Sequence, residues 1–95
     1  MANYKLSPNA VEDIERIWFY GLEQWGVAQA DKYVKTLYQR FSELAKNPRQ
    51  YPSVDNIREG YRRSVCGSNS IFYRIEGTDV EIIAVIGQQD LQEWL

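Results

Sequence analysis

The chain is expected to be an α+β domain in which a short N-terminal strand precedes a two-helix hairpin packed on a three- to four-stranded antiparallel sheet. Three observations carry this expectation. Apolar residues recur at steps of three and four through two adjacent stretches between Pro8 and Leu44. Short β-rich runs separated by glycine-containing turns follow from Tyr61 to Ile86. No repeat, low-complexity tract or linker divides the 95 residues, so the whole of 1–95 reads as one domain.

The elements follow in order. Residues 3–7, NYKLS, alternate Tyr4 and Leu6 against Lys5, the period of a short strand. Ser7 before Pro8 is a helix start, with serine as N-cap, proline at the first helical position, and Glu12 and Asp13 near the positive end of the helix dipole. Val11, Ile14, Trp18, Leu22 and Trp25 then mark an apolar stripe that stops at Gly26. On this pattern Trp18 and Trp25 belong to the core. A second stripe, Ala30, Tyr33, Val34, Leu37, Phe41 and Leu44, ends before Asn47 and Pro48.

After the polar connection NPRQYPSVDNIREG, strands are expected over 61–66, 71–76 and 79–86. In the turn EGTD, glycine at the first central position suits a two-residue type II′ loop. That loop sets Glu76 opposite Asp79, Ile75 opposite Val80, Arg74 opposite Glu81 and Tyr73 opposite Ile82. One face of this hairpin then carries Ile71, Tyr73, Ile75, Val80, Ile82 and Ala84, for the helices to cover. The other carries Arg74, Glu76, Asp79 and Glu81 with Phe72, Ile83 and Val85, more apolar area than a solvent face needs, which points to a protein partner.

Composition bounds the function. Apolar residues at 44%, aromatics at 14% and charged residues at 25% suit a folded globule. A chain this short buries roughly 60–65% of its unfolded surface, so the core is small. No apolar run approaches the ~20 residues of a membrane span. The start MANYKLSPN has neither the basic beginning nor the apolar stretch of a signal peptide, so a cytoplasmic location without membrane contact is expected. The sequence has no histidine and one cysteine, Cys66, which excludes zinc sites and Cys–His or Ser–His catalysis. Neither a metal nor a cofactor is expected. Cys66 reads as a small buried hydrophobe, and Tyr61 and Tyr73, with ordinary pKa values of about 10, read as packing residues rather than proton-transfer groups.

Charge is uneven. Residues 48–76 hold Arg49, Arg58, Arg62, Arg63 and Arg74 against Asp55, Glu59 and Glu76, whereas 77–95 hold Asp79, Glu81, Asp90 and Glu93 with no cation. A coherent basic face for nucleic acid is not evident in this pattern, so no direct sequence-specific nucleic-acid binding is expected of the chain alone. Arg74 opposite Glu81 makes an ordinary cross-strand pair, worth well under ~1 kcal/mol. Arg62 and Arg63 point to opposite faces. If the helices cover the Arg63 face, its head must snorkel or reach a carboxylate, one source being the acidic first helix. The terminal DLQEWL, with Leu91, Trp94 and Leu95 at helical steps, either docks back on the sheet or anchors a partner.

Three stretches together, YKLSPNAVEDIERIWFYGLEQWG, the helix ending in KNP, and GYRRSVCGSNSIFYRIEGTDVEIIAVIG, resemble the ParE toxins of the RelE/ParE superfamily of bacterial type II toxin–antitoxin systems. The likeness spans nearly the whole chain. It implies the RelE/ParE-like fold described above, a ParD-like antitoxin whose C-terminal segment wraps the toxin, and DNA gyrase as the target. Toxins of this kind trap gyrase and block replication rather than turn over a substrate, so no catalytic residue is expected. Candidate antitoxin contacts are the outer surface of the helical hairpin and the open sheet at Phe72, Arg74, Ile83 and Val85. Candidate gyrase contacts, by position, are Gln88, Gln89, Asp90 and Trp94.

Two alternatives compete. In the ribosome-dependent mRNA endonuclease branch typified by RelE, many relatives carry a histidine and an arginine where the last strand ends. Here that stretch is VIGQQD, with Gly87, Gln88 and Gln89. The other alternative is an inactive member that keeps only antitoxin binding and acts as a decoy.

Overall fold

The computed structural model describes residues 3–87. Its elements are β1 (Tyr4–Leu6), α1 (Pro8–Trp25), α2 (Val27–Lys46), β2 (Tyr61–Cys66), β3 (Asn69–Glu76) and β4 (Asp79–Gly87). The strands form one sheet in the order β1-β4-β3-β2, with the helical hairpin on one face. The last three strands make the expected antiparallel meander, but β1 runs parallel to β4, with Tyr4 opposite Val80 and Leu6 opposite Ile82. The sheet is therefore mixed. Strands joined by tight turns must reverse direction, whereas β1 reaches the sheet through a long helical connection that imposes no reversal.

The start of α1 is built as its sequence suggests. Ser7 adopts an extended conformation, its Oγ accepts the Ala10 N–H at 3.0 Å, and Pro8 opens the helix. Ser7 also ties the helix to the sheet: its N–H donates to Ile82 O at 2.9 Å and its hydroxyl to Ile83 O at 2.7 Å. Nearly two turns further on, the buried Asp13 accepts the Val85 N–H at 2.9 Å and pairs with Arg16.

The face that α1 buries is rotated by one position from the expected stripe. Ala10, Asp13, Ile14 and Gly21 are buried and Ile17 packs on the core, while Val11 and Trp25 are exposed and Trp18 is half-buried. The physical reason is a close helix–helix approach. A Cβ placed on Gly21 would lie 3.3 Å from both Cα and Cβ of Ala30, so the contact line runs through the smallest residues and not the tryptophans. Trp18 instead donates its indole N–H to Asp31 at 2.7 Å, pinning α1 to α2 from outside. The α2 stripe is as expected: Ala30, Leu37, Phe41 and Leu44 are buried, with Tyr33 and Val34 packed beside them.

The β3–β4 register matches expectation from the turn as far as Tyr73 and Ile82, with a positive φ of 63° at Gly77 alone in the turn, as a type II′ loop requires. Beyond it the faces differ. Tyr73 pairs with Ile82 but Phe72 pairs with Ala84, so Ile83 is an extra residue in a β-bulge. One extra residue exchanges the two faces for everything after it. Val85 consequently joins Ile71, Tyr73, Val80 and Ile82 under the helices, and Ala84 turns to the outer face with Phe72 and Ile86. That outer apolar cluster is covered from within the chain by Val54 and Ile57 of the connection before β2. The connection is strapped to the β2 edge by Val54 N–H to Tyr61 O at 2.7 Å and Arg63 N–H to Pro52 O at 3.3 Å.

Ser7→Ala removes both the helix cap and the hydroxyl bond to β4, and is expected to cost about 1–2 kcal/mol. Urea unfolding reads this as a lowered midpoint at unchanged slope, and Ser7→Thr should recover most of it.

Candidate partner-binding surface

Two surfaces offer themselves to a partner, one on the sheet and one on the hairpin. The outer sheet face near the β3–β4 turn is a charged strip. Arg74 Nε donates to Glu81 Oε1 at 2.7 Å, Arg74 also lies 3.8 Å from Glu76, and Lys5 lies 3.2 Å from Glu76. These groups are mutually satisfied, and with Lys5, Arg74 and Glu76 about half exposed each pair contributes little to stability.

Of the four residues expected to meet an antitoxin on this face, Arg74 is exposed and Ile83 half-buried at the bulge. The open-face expectation fails for the other two. Phe72 is 0% exposed, packed with Val54 and Ile57, and Val85 is 1% exposed beneath the helices. The bulge and the strapped connection are the causes. Gln88, Gln89, Asp90 and Trp94 lie outside the described residues. The remaining arginines of the hairpin also part ways. Arg62 takes the helix side, where it donates to Tyr51 O at 2.6 Å, and Arg63 takes the outer side, where its Nε donates to Ser70 Oγ at 2.9 Å. Neither uses an α1 carboxylate; backbone and hydroxyl acceptors lie nearer.

The hairpin surface is different in kind. Phe19, Tyr20, Trp25 and Val27 are 58%, 54%, 61% and 56% exposed, and the Tyr20 and Trp25 rings meet edge to face at 5.8 Å. Beside them lies a groove of about 360 Å³ walled by Ile17, Tyr20, Trp25 and Tyr33, with Gly21 and Ala30 also lining it and Arg16 at its rim. The small pair that lets the helices close also leaves room for the groove. Tyr33 holds its far wall: its hydroxyl donates to Asn69 Oδ1 and accepts the Ser68 N–H at 3.1 Å, fastening the β2–β3 turn to α2. Glycine is required in that turn, because Gly67 has φ of 59° and a Cβ there would sit 2.8 Å from the Tyr33 hydroxyl. The helical pattern alone missed this surface, yet the run Trp18–Phe19–Tyr20 carries its signal, since three consecutive residues of a helix do not share one face.

The groups with nucleophilic or acid–base potential are turned away from neutral-pH chemistry. Burial pushes the Cys66 thiol above its ordinary value, against a smaller lowering by Arg40. Burial likewise raises Tyr73, against Arg62, and its hydroxyl is engaged in donating to Pro48 O at 2.8 Å. Among the described residues no cluster of three or more Cys, Asp or Glu is placed to hold a metal ion. No helix among them is long and apolar enough to cross a membrane.

This architecture is the RelE/ParE-like fold. It superposes on a chain of the chromosomal ParDE toxin–antitoxin system from P. aeruginosa with a TM-score of 0.80, at 19% identity, covering 92% of this chain and 96% of that one. The YoeB–YefM toxin–antitoxin complex from Staphylococcus aureus shares it more loosely, with a TM-score of 0.57 at 17% identity over 90% and 95% of the two chains. The chain itself belongs to the ParE toxin family of type II toxin–antitoxin systems: residues 4–91 match the family model for the ParE toxin of parDE. It is 41% identical over 88 residues to Toxin ParE1 of Caulobacter vibrioides, and 39% identical over 90 residues to Toxin ParE1 of Mycobacterium tuberculosis. Each match covers 93% of this chain and 91% of the relative.

The buried tyrosines fix the sign of an alkaline limb. Tyr33 and Tyr73 are raised by burial in the folded state, so the stability they confer is complete below the unfolded tyrosine value of about 10 and is lost as pH rises above it. Urea midpoints are expected to be level from neutral pH to about 8, to start falling as the unfolded Cys66 thiol ionises at about 8.5, and to fall further above about 10, and Tyr73→Phe should flatten part of that second fall.

Proposed function

We propose that this ParE-family toxin inhibits DNA gyrase by stoichiometric binding, and so blocks replication in the cytoplasm, until a ParD-like antitoxin neutralises it. The unit of action is the one domain over 1–95. Family membership over almost the whole chain supports the gyrase target. The observation that carries the antitoxin half is the hairpin groove: Tyr20 and Trp25, each more than half exposed, wall a cleft of about 360 Å³, and the exposed Phe19 and Val27 extend the apolar surface on the same helical hairpin, a surface suited to an amphipathic segment.

Antitoxin contacts are assigned to that groove first, with Arg74 and Ile83 extending the surface onto the sheet. Phe72, 0% exposed, backs the sheet surface, and Val85, 1% exposed, lines the floor of the groove. Gln88, Gln89, Asp90 and Trp94 stay candidates for gyrase by position. Binding without turnover is supported by the raised Cys66 thiol and the engaged, raised Tyr73 hydroxyl, neither of which is poised to attack or to shuttle a proton near pH 7.

Plasmid supercoiling by purified gyrase, with increasing toxin, with and without ATP, tests the target. Loss of supercoils with trapped cleaved DNA is the expected result. No effect from folded protein, together with mRNA cleavage on ribosomes, would replace the gyrase reading with the RelE-like one. Unaffected growth on expressing the chain alone would indicate a decoy. For the antitoxin, Trp25→Ala is expected to weaken binding by at least tenfold while leaving thermal unfolding nearly unchanged. Ile83→Glu should weaken binding as well, and unchanged affinity there would remove the sheet from the interface.

A further inference from the structure

Folding gathers cations that the sequence scatters. Arg40 of α2 donates to Ser64 Oγ and Val65 O, both at 2.8 Å, pairs with Glu43 at 3.4 Å, and lies over the Tyr51 ring with its guanidinium carbon 5.6 Å from the centroid. Arg62 reaches the same residue from β2 and donates to the Tyr51 carbonyl. Between them the loop after α2 is held firmly: Asn47 N–H bonds Glu43 O at 3.0 Å, Gln50 N–H bonds Asn47 O at 3.1 Å, and Tyr73 grips the Pro48 carbonyl. Lys46 and Arg49 project from this braced loop beside an open concavity of about 530 Å³ formed by residues 46–50. Both are exposed, and neither forms an ion pair among the described residues. Arg40, Lys46, Arg49 and Arg62 thus share one end of the molecule, where Glu43 is already occupied by Arg40.

We infer that this end is a phosphate-backbone contact for duplex DNA, with Lys46 and Arg49 touching the backbone and Arg40 and Arg62 bracing the loop and adding to the field. That the duplex is the one gyrase holds rests on the gyrase reading above. Three features select a backbone over a small anion. The concavity is open, the two cations ride on long stems rather than converging on a buried point, and among the described residues neither helix start, Pro8 or Val27, lines it. Lys46 also offsets the negative end of the α2 dipole, which would otherwise repel phosphate. Two contacts make a weak site, sequence-independent and steeply salt-sensitive, suited to reinforcing a protein–protein contact.

Fluorescence anisotropy of a labelled short duplex across a low-salt series, with the full chain, tests it. The expected result is binding that weakens with salt. Lys46→Gln/Arg49→Gln should reduce the slope of log affinity on log salt by about 2 and lower affinity roughly tenfold or more at low salt. Thermal melting and antitoxin affinity of the double variant should be unchanged. Lys32→Gln/Lys35→Gln, on the exposed side of the same helix, should lose much less. No binding by the wild-type chain, or equal loss in both double variants, would overturn the site. Tighter binding of a single-stranded RNA, lost in the same variant, would reassign it to RNA and overturn the DNA assignment. The gyrase reading fails separately: duplex binding that depends on Lys46 and Arg49, without any inhibition of supercoiling, would leave this site standing and that target refuted.

Discussion

The edge of β4 that lies beyond β1, without a strand partner among the described residues, is the constraint around which the rest of the fold is arranged. β1 covers β4 only from Val80 to Ile82, and the strand continues to Gly87 beneath the helices, where an orphaned N–H or carbonyl is costly. The first turns of α1 supply the missing partners. Ser7 bonds the carbonyl of Ile83, and Asp13 accepts the N–H of Val85. Burying a carboxylate is unfavourable in isolation; here the backbone N–H and the Arg16 guanidinium offset the desolvation. The opposite edge is treated in the same manner, by the strap from Pro52 to Val54 along the first half of β2 and by Arg40 on the Val65 carbonyl. The exposed backbone of β4 beyond β1 and that of the β2 edge are thereby partly occupied, which disfavours unintended strand pairing there.

Once α1 is fixed to β4, the helix contact line is fixed too, and it falls on Gly21 and Ala30 instead of on the large residues of either helix. Close approach through small side chains displaces Trp25, Tyr20 and Phe19 to the surface, where Trp25 and Tyr20 wall a groove. The binding surface is thus a by-product of the packing solution, and the aromatics that would have filled a looser core become available to a partner. The Tyr33 hydroxyl then keeps the groove's far wall in place by holding the β2–β3 turn.

The charges divide into those spent on one another and those left available. On the outer sheet face Lys5, Arg74, Glu76 and Glu81 satisfy each other across three strands. At the end of α2, Arg40 and Arg62 spend their hydrogen bonds on the Tyr51 carbonyl, the Val65 carbonyl and Ser64, which braces a loop that leaves Lys46 and Arg49 unpaired among the described residues. A chain with net charge −2 therefore presents a locally cationic end.

Local chemistry in the sequence determined the elements: the Ser-Pro helix start, the Gly26 and Asn47 stops, the α2 stripe and the glycine of the EGTD turn each depend on residues within a few positions of one another. The β3–β4 register followed from that turn up to Tyr73. Past it, IIAVI is apolar at every position, so alternation carries no information, and only the three-dimensional pairing revealed the bulge at Ile83 that moves Val85 inward and Ala84 outward. The rotation of α1 was hidden for a similar reason, since WFY offers more apolar residues than one face accommodates, and the partner Ala30 decided which were buried. The parallel placement of β1, the burial of Asp13, the covering of Phe72 by Val54 and Ile57, and the meeting of Arg40 with Arg62 at Tyr51 all join residues far apart in the chain. Such contacts depend on how whole elements dock, which tertiary structure alone decides.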